Sequence, residues 1–158
     1  MALCQTIQKQ LSEESTASDK VAAILDNILK RGEGSIGGVR TSRWVPPSSD
    51  EIEQIRGIGH DAIPPLDRAL DSHRPFEQSL AVRLLEAIGG ANVVPPLKRA
   101  LSSDRANSVR MAALAALRSA PDNLAIPIIQ RAVRDPDPVV AKRAKDLLTD
   151  YYQIEVPK

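Results

Sequence analysis

An all-α solenoid, a stack of antiparallel helical pairs, is the fold class this sequence predicts, and three observations predict it. The segments IPPLDRAL (63–70), VPPLKRAL (94–101) and IPIIQRAV (126–133) are versions of one another, 31 and then 32 residues apart. Each is followed, after a short polar turn, by a second apolar-periodic segment: FEQSLAVRLLEAIG (76–89), NSVRMAALAALRSA (107–120) and PVVAKRAKDLLTDY (138–151). Apolar residues recur at spacings of three and four in all six segments, which is the period of a helix.

The N-terminal elements differ from the rest. Leu3, Ile7 and Leu11 predict a short amphipathic helix. Ser18 then predicts the cap of a second, with Val21, Ile24, Leu25 and Ile28 on one face and Gly32 as its end. Further on, SSDEIEQIRGIG (48–59) reads as the second helix of an earlier unit, because IRGIG parallels LEAIG at 85–89. Residues 1–60 are therefore expected to hold N-terminal helices and a degenerate repeat. Its helices, 19–30 and 50–58, are separated by a glycine-rich inserted loop at 32–49.

Three full units follow, at 61–90, 91–121 and 122–151, with a tail at 152–158. In the first helices Ile63, Leu66 and Leu70 recur as Val94, Leu97 and Leu101 and as Ile126, Ile129 and Val133. In the second helices Ala81, Leu84, Leu85 and Ile88 recur as Ala113, Ala116, Leu117 and Ala120. Val140, Ala144, Leu147, Leu148 and Tyr151 take the equivalent face of the third copy. Such spacings put each set on one side of a helix. Pro64–Pro65, Pro95–Pro96 and Pro127 mark helix starts, where a missing N–H costs nothing. Asp61 and Asn92 are placed to cap, and Gly89–Gly90 closes the first unit. A lone pair exposes both of its flanks, so stability must come from stacking.

On these residues the units resemble HEAT repeats, specifically the short bacterial type called PBS-lyase HEAT-like repeats. The resemblance rests on P-x-L-x-R-A-L in the first helix, the Asp-containing turns at Asp104 and Asp135, and V-R-x-x-A-x-x-A-L at Val109–Leu117. It covers residues 61–151. In that family the arginine of the Val-Arg pair often joins an Asp–Arg ladder between neighbouring units. Here the pair is intact only at Val109–Arg110, with Glu77–Gln78 and Val140–Ala141 elsewhere, so an interrupted ladder is expected.

Composition narrows the function. Trp44, Phe76, Tyr151 and Tyr152 are the only aromatic residues, so the core must be aliphatic. With 21 basic against 20 acidic residues, the chain lacks the basic excess that supplies affinity for nucleic acid or membrane surfaces. Cys4 stands alone, which excludes an intrachain disulfide and a thiolate cluster. The N-terminus lacks the charged and apolar regions of a signal peptide, and no apolar run reaches membrane-spanning length. A cytoplasmic protein is expected.

One motif invites an enzymatic reading. In RGEGSIGGVRTSRW (31–44), Gly32, Gly34 and Gly37 fit G-x-G-x-x-G. A dinucleotide turn needs a strand before it and a helix after it. Here the preceding segment is helical and the following one carries a proline pair, so a nucleotide cradle is rejected. His60 and His73 lack helical ligand partners. Asp71–Ser72–His73 reads as a capped turn, and Asp135 and Asp137 as turn formers. No catalytic residue, metal site or cofactor is expected, and the chain is read as a non-enzyme.

The expected function is protein binding, as an adaptor, assembly factor or inhibitor/immunity-type partner. Two alternatives follow from the resemblance: a bilin lyase or its chaperone-like subunit, and a nucleic-acid-binding protein. Second helices line the concave face in HEAT arrays. There Arg83, Arg110, Met111, Leu114, Arg118, Lys142 and Lys145 give a mildly basic surface with an apolar centre, suited to an acidic helix or peptide. Arg68, Arg99 and Arg131 recur on the first helices and are expected on a solvated outer face. Trp44, flanked by Arg40 and Arg43, fits an interaction hot spot. It also fits packing on the first helices, the reading favoured here.

Overall fold

The computed structural model describes the backbone of residues 2–36, 39–42 and 44–155, and among these the side chains of 16–33 and 44–155. In chain order the elements are α1 (Ala2–Gly32), the hairpin strands β1 (Glu33–Ile36) and β2 (Val39–Ser42), α2 (Ser49–Ile58), α3 (Ile63–Ala69) and α4 (Pro75–Ile88). There follow α5 (Val94–Ala100), α6 (Asn107–Ala116), α7 (Asp122–Ala132) and α8 (Pro138–Asp146). Helices α2, α4, α6 and α8 pack side by side in one layer, and α1, α3, α5 and α7 belong to the other. The chain is an all-α solenoid. Its core is one continuous aliphatic seam between the layers, in which Leu66, Leu84, Leu97, Leu114, Leu117 and Ile129 are fully buried.

Each first helix has a longer lead-in than the prolines suggest. In the first two full pairs a 3-10 turn, Gly59–Ala62 or Ala91–Val93, runs directly into α3 or α5. The expected caps do not form. The Ile63 and Val94 N–H groups already donate to the His60 and Ala91 carbonyls, and the following two residues are prolines with no N–H to satisfy. Asp61 stays exposed, and the Asn92 amide meets the His60 Nδ1 at 3.3 Å instead. Pro127 does not start α7 but lies inside it. Its missing N–H leaves the Asn123 carbonyl without a helical donor, at an exposed residue that water can serve.

The glycine parallel between 55–59 and 85–89 extends to the helix ends. Gly59 and Gly89 both end their helices at φ 66°, and their N–H groups donate to the Ile55 and Leu85 carbonyls. Gly89 is doubly constrained, because a Cβ there would stand 3.1 Å from the Ser119 carbonyl oxygen. The next N–H, of Gly90, donates to that same oxygen at 2.9 Å, joining the ends of α4 and the α6 segment.

Two N-terminal expectations are corrected. Residues 2–32 form one continuous helix, so Ser18 is not a cap; its hydroxyl accepts a 3.1 Å hydrogen bond from Arg68. Val21, Ile24 and Ile28 do form a buried stripe, while the side chains of Leu3, Ile7 and Leu11 lie outside the described ones. The expected glycine-rich loop contains an antiparallel hairpin, with Glu33 opposite Ser42 and Ile36 opposite Val39. A Gly-Gly pair between β-branched residues is the composition that two-residue hairpins favour.

The insertion is pinned where it returns. Ser48 and Glu51 form a capping box on α2, the Ser48 hydroxyl accepting the Glu51 N–H and the Glu51 carboxylate accepting the Ser48 N–H at 2.7 Å. The same carboxylate accepts Arg31 at 2.6 Å, so the end of α1 is tied to the start of α2.

Candidate interaction surface

The face of α4, α6 and α8 turned away from the seam carries most of the residues singled out in the sequence. Arg83, Arg118, Lys142 and Lys145 are exposed on it, and Met111 is half-buried. Two of the four cations are paired locally, Arg83 with Glu86 and Lys142 with Asp146, both at 2.8 Å and one helical turn apart. Exposed pairs of this kind are worth little. No carboxylate among the described residues pairs with Lys145.

Arg110 and Leu114 are corrections. Both are buried, with Leu114 fully so. The reason is that α6 is flanked by α4 and α8 as well as facing α5. Its apolar arc must then cover more than the two or three positions per turn of an ordinary surface helix. Val109, Arg110, Ala113, Leu114, Ala116 and Leu117 all fall inside it.

Arg110 is accommodated by a specific pairing. Its guanidinium lies 2.9 Å from Asp135 in the α7–α8 turn, each side chain only 6% exposed. It also donates to the Ser103 and Arg105 carbonyls. Gln78 occupies the equivalent place in α4 and donates to the Ser72 carbonyl, closing its own turn without a charge. The ladder suggested by the family thus has a rung between the second and third pairs, where the arginine is present. Asp135 also accepts the Asp137 N–H at 2.8 Å, so the DPDP turn is more than a bend.

Asp137 is the N-cap of α8, accepting the Val139 and Val140 N–H groups. Those bonds, led by the one from Val139 and followed by the Asn107 amide, hold its carboxyl below the ordinary 3.8. A carboxylate lowered on folding stabilises the fold above its unfolded pKa, and that contribution is lost as pH falls through the folded value. Asp137→Asn is therefore expected to flatten the acid limb of a stability-versus-pH curve below about pH 4. Urea melts from pH 7 to pH 2.5 check this; identical acid limbs would remove Asp137 from the acid response.

Of the insertion, Trp44 is described, while the Arg40 side chain and all of Arg43 lie outside the described residues. Trp44 is 43% exposed and packs edge-on against Phe76 at the start of α4, ring centroids 5.2 Å apart. That ring contact is with the second-helix layer. A platform that sequence reading missed lies beyond α8, where the Arg118 guanidinium sits 4.4 Å over the Tyr151 ring, which is 48% exposed. Tyr151 does not take the core face expected of it, because the chain turns there into a π-helical segment, Leu147–Tyr151. Leu147 and Leu148 stay buried as expected, and Tyr151 is released to the surface. Tyr152 takes the inward place, and burial raises its hydroxyl pKa.

The enzymatic candidates gain no support. Gly32 ends α1 and Gly34 lies in β1, while Gly37 is outside the described residues; a helix, not a strand, precedes the motif. Ser72 behaves as a turn residue, bonded to Glu77 and to the Arg74 N–H, and His73 is exposed. Among the described residues no group of three or more His, Cys, Asp or Glu converges on a metal site. None of their helices is long and apolar enough to cross a membrane. A cavity of about 670 Å³ opens between α1 and α2, with Ile24 and Ile58 in its wall and Lys20, Gln54 and Asp61 at its polar side.

No curated protein and no solved structure matched the chain. A family model described as HEAT repeats matches residues 63–149, more than half of the sequence and the whole run from α3 to α8. Paired antiparallel helices stacked in two layers, with one seam of aliphatic side chains and a buried Arg–Asp rung between pairs, agree with that match: the chain belongs to the HEAT-repeat family.

Proposed function

We propose that this chain is a non-enzymatic protein-interaction module of the short, bacterial HEAT-like type, working in the cytoplasm as an adaptor, assembly factor or inhibitor. Its partner engages the concave face formed by the second helices, α4, α6 and α8. HEAT repeats commonly serve as interaction scaffolds, and a rigid two-layer stack holds its surface residues in place before binding, which lowers the ordering cost of association. The observation that carries the reading is the Arg118–Tyr151 pair. Arginine and tyrosine are the side chains over-represented at binding hot spots, and here they stand stacked and exposed. Arg83 and Lys142 add two cations whose local pairs an incoming carboxylate can replace. The partner this suits is an acidic helix or peptide.

The test is recovery of partner by the tagged full chain from a lysate of its own cells, with and without nuclease. One stoichiometric protein is expected to survive nuclease and to be lost with Arg118→Glu/Tyr151→Ala, two exposed positions whose replacement leaves the fold intact by circular dichroism. Recovery that vanishes with nuclease favours nucleic acid. Recovery indifferent to the double variant moves the interface off this face.

A further inference from the structure

The first-helix layer repeats one arginine per pair, at Arg68, Arg99 and Arg131, and the three have different surroundings. Arg99 in α5 reaches back to the preceding pair, where Asp67 accepts it at 2.8 Å and Asp71 at 3.3 Å. Arg105 joins Asp71 from the other side. This junction is closed by carboxylates.

One pair later the acceptors are gone. Position 98, which aligns with Asp67, is Lys98, and position 102, which aligns with Asp71, is Ser102. Arg131 in α7, the counterpart of Arg99, therefore shares its junction with a lysine. Arg134 brings a third cation into the same place. Lys98, Arg131 and Arg134 line one notch of about 260 Å³ between α5, α7 and the turn after α7, over an apolar floor that includes Leu101 and Ile128. All three are exposed, and no carboxylate among the described residues pairs with any of them. Asp135 borders the notch, but Arg110 and the Asp137 N–H already occupy it.

Three like charges held together at an otherwise matched junction are mutually repulsive, and an anion relieves them. The neighbouring junction indicates the shape of that anion, since its arginine is met by two carboxylates one helical turn apart. We propose that the notch between α5 and α7 docks an acidic segment of a partner protein, whose carboxylates take the places that Asp67 and Asp71 fill one junction earlier. The apolar floor accepts the methylene stems of glutamates. This contact lies on the layer opposite the Arg118–Tyr151 face and stands independently of it.

The test is a titration of the full chain, labelled for arginine side-chain NMR, with an acetylated and amidated tetraglutamate peptide. Inorganic phosphate and a tetralysine peptide are run separately. The glutamate peptide is expected to shift the Nε–Hε signals of Arg131 and Arg134, with Arg99 little changed because its acceptors are in place. Lys98→Asp, which restores the Asp67 pattern at an exposed site, is expected to weaken that binding at least about tenfold. Unmoved Arg131 and Arg134 signals would overturn the proposal, as would equal shifts at all exposed arginines. Phosphate acting at about tenfold lower concentration than the peptide would replace it with a phosphoryl site.

Discussion

Asp135→Ala is expected to destabilise the protein by about 3–5 kcal/mol, the cost of leaving one partner of a buried ion pair without the other. Arg110 would keep its backbone acceptors but lose the carboxylate it pairs with, at a place where its side chain is only 6% exposed. The fall in melting temperature should be roughly 6–20 °C for a chain of this size. Lys142→Ala removes a pair of similar length at the surface and should cost no more than about 0.5 kcal/mol. Burial, not distance, separates the two results.

The loss should also be local. Arg110 belongs to α6 and Asp135 to the turn that joins α7 to α8, so the rung couples the last pair to the one before it. In a stack stabilised by nearest neighbours, weakening one interface releases the units beyond it first. Amide exchange in Asp135→Ala should accelerate across α7 and α8 before α3 and α4. Replacing both partners, as Arg110→Met/Asp135→Leu, should recover most of the stability, because no charge is then stranded. An Asp135→Ala protein within about 1 kcal/mol of the parent would show that the pair is not buried in solution.

The stack was legible because its signal is redundant. Three copies of one eight-residue segment, each followed by an apolar-periodic run, leave few architectures open, and IRGIG beside LEAIG extends the pattern to α2. What failed were local cues that compete with one another. Ser18 is of a type that favours caps over helix interiors, so a break is expected there. The helix runs through because Ala17, Val21, Ile24 and Ile28 pack on the core, and tertiary burial outweighs a weak propensity. The hairpin strands end on the β-branched Ile36 and Val39, a signal that overlaps the G-x-G-x-x-G spacing and competes with it.

The proposed interaction face was only half legible for a geometric reason. Helical periodicity finds the side that faces the opposite layer, yet it does not reveal how much further burial extends when neighbours press on both flanks. Arg83, Arg118, Lys142 and Lys145 lie far enough round their helices to escape that burial, and Arg110 does not. Likewise, Arg99 and Arg131 occupy matching places in their segments. They differ in surroundings because of Lys98 and Ser102 one pair earlier, so the information sits in a neighbouring unit and not in the residue itself.

Leu114→Ala puts that distinction to measurement. Leu114 is fully buried on α6, the helix that packs against α4, α5 and α8. Its truncation should cost about 2–5 kcal/mol, from lost burial and the cavity left behind. Met111, three residues earlier and half-buried, is a flexible side chain on the open side of the same helix. Met111→Ala should cost less than about 1.5 kcal/mol. Partner recovery should respond in the opposite order at a temperature where both variants remain folded, with Met111→Ala reducing capture and Leu114→Ala leaving it near the parent level. Equal losses of stability would mean that α6 turns the same depth to both residues. Loss of capture by Leu114→Ala alone, with the fold retained, would mean that the partner reads the stack through its packing and not through the exposed face of α6.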